Sequence, residues 1–388
     1  MNSVLMQLSE EHQTLAETVR DFANQVIAPV AAKHDREQTF PYDVIKKMGA
    51  MGLFGLPFPE EVGGMGGDFL SLCLAIEEIA RIDQSVAVTL EAAVGLGSML
   101  IFRTGTDEQK KKYLPALMSG AALAGFGLTE PDGGSDASGL RTTARLENDE
   151  WVINGAKTFI TNSGTSITSL VIVACITGTK ADGSKEISTI IVPSGTPGFT
   201  VEPSYFKLGW HASDTHPLSF SDVRVPASNL LGERGRGYAN FLQALDEGRI
   251  AIAALAVGAA QGCIDESLRY AKERKAFGKT IGEHQSIAFK IAEMEARTHV
   301  ARLAYYHAAS LLAAGKDFKT EASIAKLVAS EAAMDNARAA TQIFGGYGFM
   351  DEYSVARHYR DSKILEIGEG TSEVQKILIA RSLGLNAQ

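Results

Sequence analysis

Cysteine is scarce in this chain and follows no pattern. Three cysteines in 388 residues, Cys73, Cys175 and Cys263, stand far apart with no CxxC pair. That spacing argues against a disulfide framework or a zinc site and leaves buried free thiols as the reading. A long basic run is also missing, and the net charge is -9. Nucleic acid is therefore a poor partner, although a local positive pocket for a phosphorylated ligand stays compatible with the composition. No apolar run reaches the ~20 residues that a bilayer crossing needs; the longest, Ile250 to Ala260, is rich in alanine and much shorter. The first residues, MNSVLMQLSEEHQTLAETVRDFANQVIAPVAAK, lack a charged leader with an apolar core and read as an amphipathic helix. The expectation is a soluble, cytoplasmic protein with no metal, membrane or nucleic-acid partner.

What remains is ordinary globular material, 45% apolar and 21% charged, long enough for two or three domains. Residues 1–123 carry helical spacing, as in SLCLAIEEIARI and EQKKKYLPALMSG, between turns at prolines and paired glycines. Residues 124–236 change character: EWVINGAKTFI, SLVIVACIT, ISTIIVP, GFTVEPS and LSFSDVRVP are short β-branched runs broken by turn residues. Residues 237–388 return to long alanine-rich helical patterns, which suggest a bundle. Helices, then β, then helices is an α+β order without the βα alternation of a dinucleotide-binding fold. The GGxG at Gly345 to Gly348 follows a helix and fails the context test for such a fingerprint.

Two segments are chemically suggestive. GLTEPDGGSDASG, Gly127 to Gly139, is a loop whose backbone N–H groups and hydroxyls suit a polar or anionic ligand. WVINGAKTFITN, Trp151 to Asn162, contains Asn154-Gly155, a hairpin signal between two strands. Each alone is an ordinary loop or hairpin. Together with QIFGGYGFMDEYSVARHYRD and the adjoining KILEIGEGTSE, and with ERKAFGK, they resemble the acyl-CoA dehydrogenase family over essentially the whole chain.

The resemblance implies an N-terminal helical domain, a central β-barrel domain and a C-terminal four-helix bundle, with FAD between the β domain and the bundle. It implies that Phe126, Leu128, Thr129, Gly134 and Ser135 line the flavin, Ser135 also lying near substrate, and that Phe159, Ile160 and Thr161 run along its ring. Arg274, Phe277, Gln285, Gln342, Gly345 and Gly346 match contacts to the adenosine and diphosphate, several made across a subunit boundary; Thr371 and Ser372 match the last flavin contacts. A guanidinium at Arg274 can pair two diphosphate oxygens at once. Asp246, Arg249 and Gly370 match positions near the substrate. A homo-oligomer, most often a tetramer in the family, and an electron-transferring flavoprotein as acceptor are further expectations.

KILEIGEGTSE sets an acid between two glycines where a helical pattern stops. In the family the glutamate of this motif removes the α-proton of an acyl-CoA thioester while the β-hydrogen leaves as hydride, giving a trans-2-enoyl-CoA; Glu369 matches it, and its backbone N–H matches part of the oxyanion hole. A solvated glutamate of pKa about 4.3 is a weak base for that proton, so burial is expected to raise it. Glycines 368 and 370 would let the chain turn the acid inward, and Ser372 with Gln375 reads as a capping box for the next helix. Some relatives carry the base one residue before the arginine matched by Arg249; here that position is Gly248. Phe159 and Gly368 stand where many relatives have Trp and Tyr. An acyl-CoA oxidase, an acyl-carrier-protein dehydrogenase, or a flavin-bearing binding protein without the chemistry are the alternatives on the same fold.

Overall fold

A computed structural model describes residues 8–387. The helix expected at the N-terminus begins at Glu10 and runs to Phe22, with the Ser9 side chain accepting from the His12 N–H; the part of that expectation on residues 1–7 lies outside the described residues. Helical elements continue to Met118. Among them, Phe69–Ala80 and the continuous helix Gln84–Thr104 are sheathed on almost every side. Among the described residues two helices could cross a bilayer by length and apolarity, Gln84–Thr104 and Gly237–Glu273. Their apolar windows are 94% and 83% buried within the fold, so these faces are satisfied by protein packing.

The middle region is one strand path. Strands β1 Leu123–Gly127, β2 Thr143–Glu147, β3 Glu150–Thr161, β4 Thr168–Thr179, β5 Lys185–Pro193, β6 Phe199–Val201, β7 Thr215–Pro226 and β8 Leu230–Leu231 run in the order β6-β7-β3-β2-β4-β5-β8, with β1 parallel to β4. The barrel takes the form of an open path folded on itself. β2 joins the halves, pairing antiparallel with β3 along its length and touching β4 only at Thr143. Trp151, Ile153 and Phe220 from one half meet Val171, Val173 and Ile190 from the other to close a dry core.

Asn154-Gly155 does not turn the chain. β3 runs straight through it, with a bulge where Gly155 takes φ 147° against β7. The hairpin turn is the preceding pair Asn148 and Asp149, at φ 49° and 67°, with Glu147 facing Glu150 across the tight loop.

Three long helices, Gly237–Glu273, Gln285–Ala313 and Lys319–Phe344, form the C-terminal bundle, and the short helix Ser372–Ser382 packs on the last of them. Small side chains such as Ala253, Ala256, Ala260, Ala325, Ala329 and Ala333 are fully buried where these helices meet. The bundle is tied to the N-terminal helices by Arg302 Nε, which donates to Glu77 Oε1 at 2.8 Å. The turn at Glu369 comes back beside Gly248 of the first long helix, close to Leu96 of the Gln84–Thr104 helix.

Candidate active site

After the helix Ser354–Ser362 the chain tightens into a 3-10 turn, Lys363–Glu366, and the Gly368 N–H closes on the Ile364 carbonyl at 2.8 Å. It then enters the left-handed region twice, Glu369 at φ 53° and Gly370 at φ 96°. A glutamate there carries strain of order 1–2 kcal/mol, and the fold holds it by anchoring the residue after it. The Gly370 carbonyl accepts from Lys326 Nζ at 2.7 Å and from Gln375 Nε2 at 2.9 Å. Thr371, rather than Ser372, caps the last helix, its hydroxyl accepting from the Val374 N–H. The expected box fails because Gln375 commits its amide to the turn's carbonyls. Only Gly370 is required as glycine by its φ: a Cβ on Gly368 would find ordinary contacts at 3.5 Å and beyond.

This turn drives the Glu369 carboxylate inward. As a residue Glu369 is half-buried, yet Oε2 is sealed from solvent and has no hydrogen-bond partner. Gly248 and Leu96 border it. Burial pushes its pKa up to about 7, against the pull of the neighbouring Glu91 carboxyl and of the Lys326 and Arg249 charges. Lys326, on the Lys319–Phe344 helix, is itself held down to about 8 by burial, although Glu369 opposes that. The rival acids fall away: Glu366 is paired with Lys363 at 2.5 Å, and Glu373 faces solvent. The Glu369 N–H has no partner among the described residues.

Asp246 and Arg249 are a buried pair, Nη1 to Oδ1 at 2.5 Å, with Lys319 Nζ 3.5 Å from the other Asp246 oxygen. Arg249 Nε is left unpartnered. Beside them an apolar cluster of Ala92, Leu96, Ala244, Phe126 and Leu245 flanks the carboxylate, and the Phe126 and Phe241 rings lie 4.4 Å apart.

The loop matched to flavin contacts is stapled from within. Lys157 Nζ, fully buried, donates to the Leu128 carbonyl at 3.1 Å and to Glu130 Oε1 at 2.8 Å, while the Thr158 N–H reaches the Thr129 carbonyl at 3.0 Å. Glu130 also accepts from the Arg141 and Thr142 N–H groups. The loop through Gly134 and Ser135 is thereby held at both ends and open between. Phe159 sits in a second bulge of β3, at φ 60°, with its ring 65% exposed and 5.2 Å from that of Tyr205. Ile160 beside it is buried and Thr161 half-buried. A bulge that turns one aromatic outward is a common device for aiming a side chain at a ligand.

The candidate residues fall into two groups. Phe126, Leu128, Thr129, Phe159 and Thr161 belong to the sheet edge, and Glu369 to Ser372 to the turn beside the Gly237–Glu273 helix. Arg274 caps the other end of that helix, roughly 37 Å from Arg249 at the rise of an α-helix. It lies 5.7 Å from the Tyr347 ring, so it shares that end with Gly345 and Gly346, both exposed and facing open space. Phe277, 96% exposed, Gln285 and Gln342 are exposed on neighbouring elements. The residues matched to the flavin ring and those matched to its adenosine end therefore lie at different ends of the bundle. An outward aromatic ring at Phe159, an orphaned buried hydroxyl at Ser372 and open glycines fit a large, flat, diphosphate-bearing group. Residue-pattern reasoning missed two members of the site, Glu91 and Lys326; a lone acid in the apolar run SVAVTLEAAVGLGSML was the available signal for the first.

A sealed carboxylate raised toward neutral pH beside an apolar cluster has what removal of a carbon-bound proton requires. The comparisons with known proteins make this specific. Residues 9–121, 125–223 and 235–384 match the N-terminal, middle and C-terminal domains of acyl-CoA dehydrogenase. A Bacillus subtilis protein named probable acyl-CoA dehydrogenase YngJ is 49% identical over 377 residues, covering 97% of this chain and 99% of that one. The butyryl-CoA dehydrogenase structure from Megasphaera elsdenii superposes with TM-score 0.94 at 42% identity over 98% of this chain and 100% of the other. A structure described under the electron transferring flavoprotein of Acidaminococcus fermentans gives TM-score 0.94 at 40% identity over 98% and 100%. The chain belongs to the acyl-CoA dehydrogenase family, and its relatives are oxidoreductases.

Proposed function

We propose that the chain desaturates a short acyl-CoA thioester between Cα and Cβ, with Glu369 as the base. The observation that carries this is the Glu369 carboxylate itself: buried, unpartnered at Oε2 and raised to about 7, so that it is ionised yet basic near neutral pH. Family membership supplies the flavin, and the butyryl-CoA relative supports the short acyl chain. When bound, FAD supplies the acceptor for the β-hydrogen as hydride.

The chain's own residues do the rest. Phe159 and Thr161 would border the flavin ring, and the free Glu369 N–H would donate to the thioester oxygen as the α-carbon gains negative charge. The apolar cluster around Leu96 and Leu245 excludes water from the acyl group. Arg249 and Lys326 keep Glu369 ionised without pairing its oxygens, so the carboxylate stays free to take the proton. The separation of Arg274 from Arg249 supports a homo-oligomer in which a neighbour completes the adenosine end of each cofactor site. A cytoplasmic location and electron-transferring flavoprotein as acceptor complete the proposal.

Anaerobic addition of butyryl-CoA to the flavin-loaded protein tests it: the flavin band should bleach at saturating substrate. Reoxidation should be fast with electron-transferring flavoprotein and slow in air; rapid reoxidation by air alone identifies an oxidase instead.

A further inference from the structure

Lys157 and Lys326 are the two fully buried lysines among the described residues. A buried ammonium is costly unless it is paired, and Lys157 is paired with the Glu130 carboxylate at 2.8 Å. Among the described residues Lys326 has no carboxylate within ion-pair distance. Its hydrogen bond runs 2.7 Å to a neutral acceptor, the Gly370 carbonyl. A second donor converges on the same turn: Gln375 Nε2 lies 2.9 Å from the Gly370 oxygen and 3.4 Å from the backbone oxygen of Glu369. Gln375 is as deeply buried as Lys326. The two donors come from different elements, Lys326 from Lys319–Phe344 and Gln375 from the helix Ser372–Ser382 packed on it.

What these donors hold is a backbone that would otherwise relax. A non-glycine residue at the φ of 53° found at Glu369 persists only where its surroundings over-determine it. On its N-terminal side the Gly368 N–H is fixed to the Ile364 carbonyl at 2.8 Å. On its C-terminal side the fixing is done by Lys326 and Gln375. Gly370 belongs to the same arrangement, because a Cβ there would lie 2.7 Å from Gln375 Nε2 in addition to the strain of its φ of 96°. Released from the donors, Glu369 would relax toward the right-handed region and turn both its carboxylate and its N–H from their present directions.

We infer that Lys326 and Gln375 are positioning residues for the reaction: by clamping the Gly370 carbonyl they fix the turn so that the Glu369 carboxylate meets the substrate α-carbon while the Glu369 N–H meets the thioester oxygen. Neither side chain needs to touch the reacting atoms. Burial, and after it Arg249, lower the pKa of Lys326 to about 8, while the charges of Glu369, Glu366 and Glu373 oppose them and favour the ammonium.

The inference rests on Glu369 acting as the base, and the test keeps the two apart. Flavin-loaded wild type, Lys326→Met and Gln375→Met are compared in anaerobic flavin reduction by butyryl-CoA. Each rate, per bound flavin, is taken at the plateau of that protein's own pH profile, so that a moved pKa does not count as lost position. Lys326→Met should lose about 10- to 100-fold, the range spanned by a hydrogen bond from a charged group, and Gln375→Met about 3- to 10-fold. Affinity for butyryl-CoA should change little in either. Infrared spectra of bound, carbonyl-labelled trans-2-butenoyl-CoA, the desaturation product, give a second reading. The thioester C=O stretch, lowered in wild type by the donated N–H, should move back toward its solution value in both variants. A purely structural pair would lower the unfolding midpoint and leave the plateau rate and the C=O stretch where they are; that result in either folded variant overturns the inference. If Lys326→Met does not fold, Gln375→Met decides by the same two readings. A wild-type rate in Glu369→Gln overturns the parent reading instead, and the C=O stretch then decides alone whether the pair aims the N–H.

Discussion

Gly248 has no side chain where Glu369 needs room: a Cβ on Gly248 would collide with Glu369 Oε2. The position that could have carried a base from the long helix is instead vacant and leaves its space to the proposed base on the C-terminal turn. Gly248→Ala should gain about 1 kcal/mol of helix propensity and still cripple the enzyme, lowering kcat by at least tenfold with flavin retained. Full kcat in this variant would show that the carboxylate does not need that space.

The raised pKa of Glu369 fixes the direction of two pH effects. Activity needs the carboxylate, so kcat/KM should fall as pH drops through about 7. Stability runs the other way. The folded state binds the Glu369 proton more tightly than the unfolded chain, so this group weakens the fold increasingly as pH rises from about 4.5 to about 7, and the deficit persists above. Glu369→Gln should therefore raise the free energy of unfolding at pH 8, by an amount of order 1–3 kcal/mol, and with it the unfolding midpoint, and by much less at pH 4.5. Equal midpoints at pH 8 would mean that the carboxylate is not desolvated.

Gly368 has an unstrained backbone and room for a Cβ, so its glycine is not demanded by the turn. Gly368→Tyr should fold with flavin and reduce kcat/KM for isobutyryl-CoA and 2-methylbutyryl-CoA relative to butyryl-CoA. The expected discrimination is modest, about 1 to 3 kcal/mol for a methylene's worth of apolar space. An unchanged ratio of branched to straight substrates would separate Gly368 from the acyl pocket.

Arg274 stands at the far end of the helix that carries Arg249. Arg274→Ala should weaken FAD retention, and light scattering should find the flavin only in oligomers. A monomer carrying a full complement of flavin would remove the need for a neighbouring subunit.

The order of helices, sheet and helices was legible because each region is long and its hydrophobic period is consistent, and Glu369 was legible as a candidate because an acid between glycines breaks a helical pattern in a recognisable motif. Local turn chemistry was less so. Asn154-Gly155 carries a hairpin signal, but cross-strand pairing with β7 absorbs it as a bulge, and the less conspicuous Asn148-Asp149 makes the turn. Ser372 has the residue type of a cap, but the tertiary demand of Lys326 and Gln375 on the Gly370 carbonyl moves the start of the helix to Thr371. Glu91 was hidden for a different reason. No local pattern distinguishes an acid sealed in the core from one facing water.

The central claim is that Glu369 removes the substrate proton, and Glu369→Gln tests it most directly. The variant keeps the shape of the side chain and loses only the proton acceptor. It should still bind FAD and butyryl-CoA, with flavin reduction under anaerobic single-turnover conditions slowed by about 10² to 10⁴ or more. Flavin bleaching at the wild-type rate in a variant confirmed by mass would contradict the account.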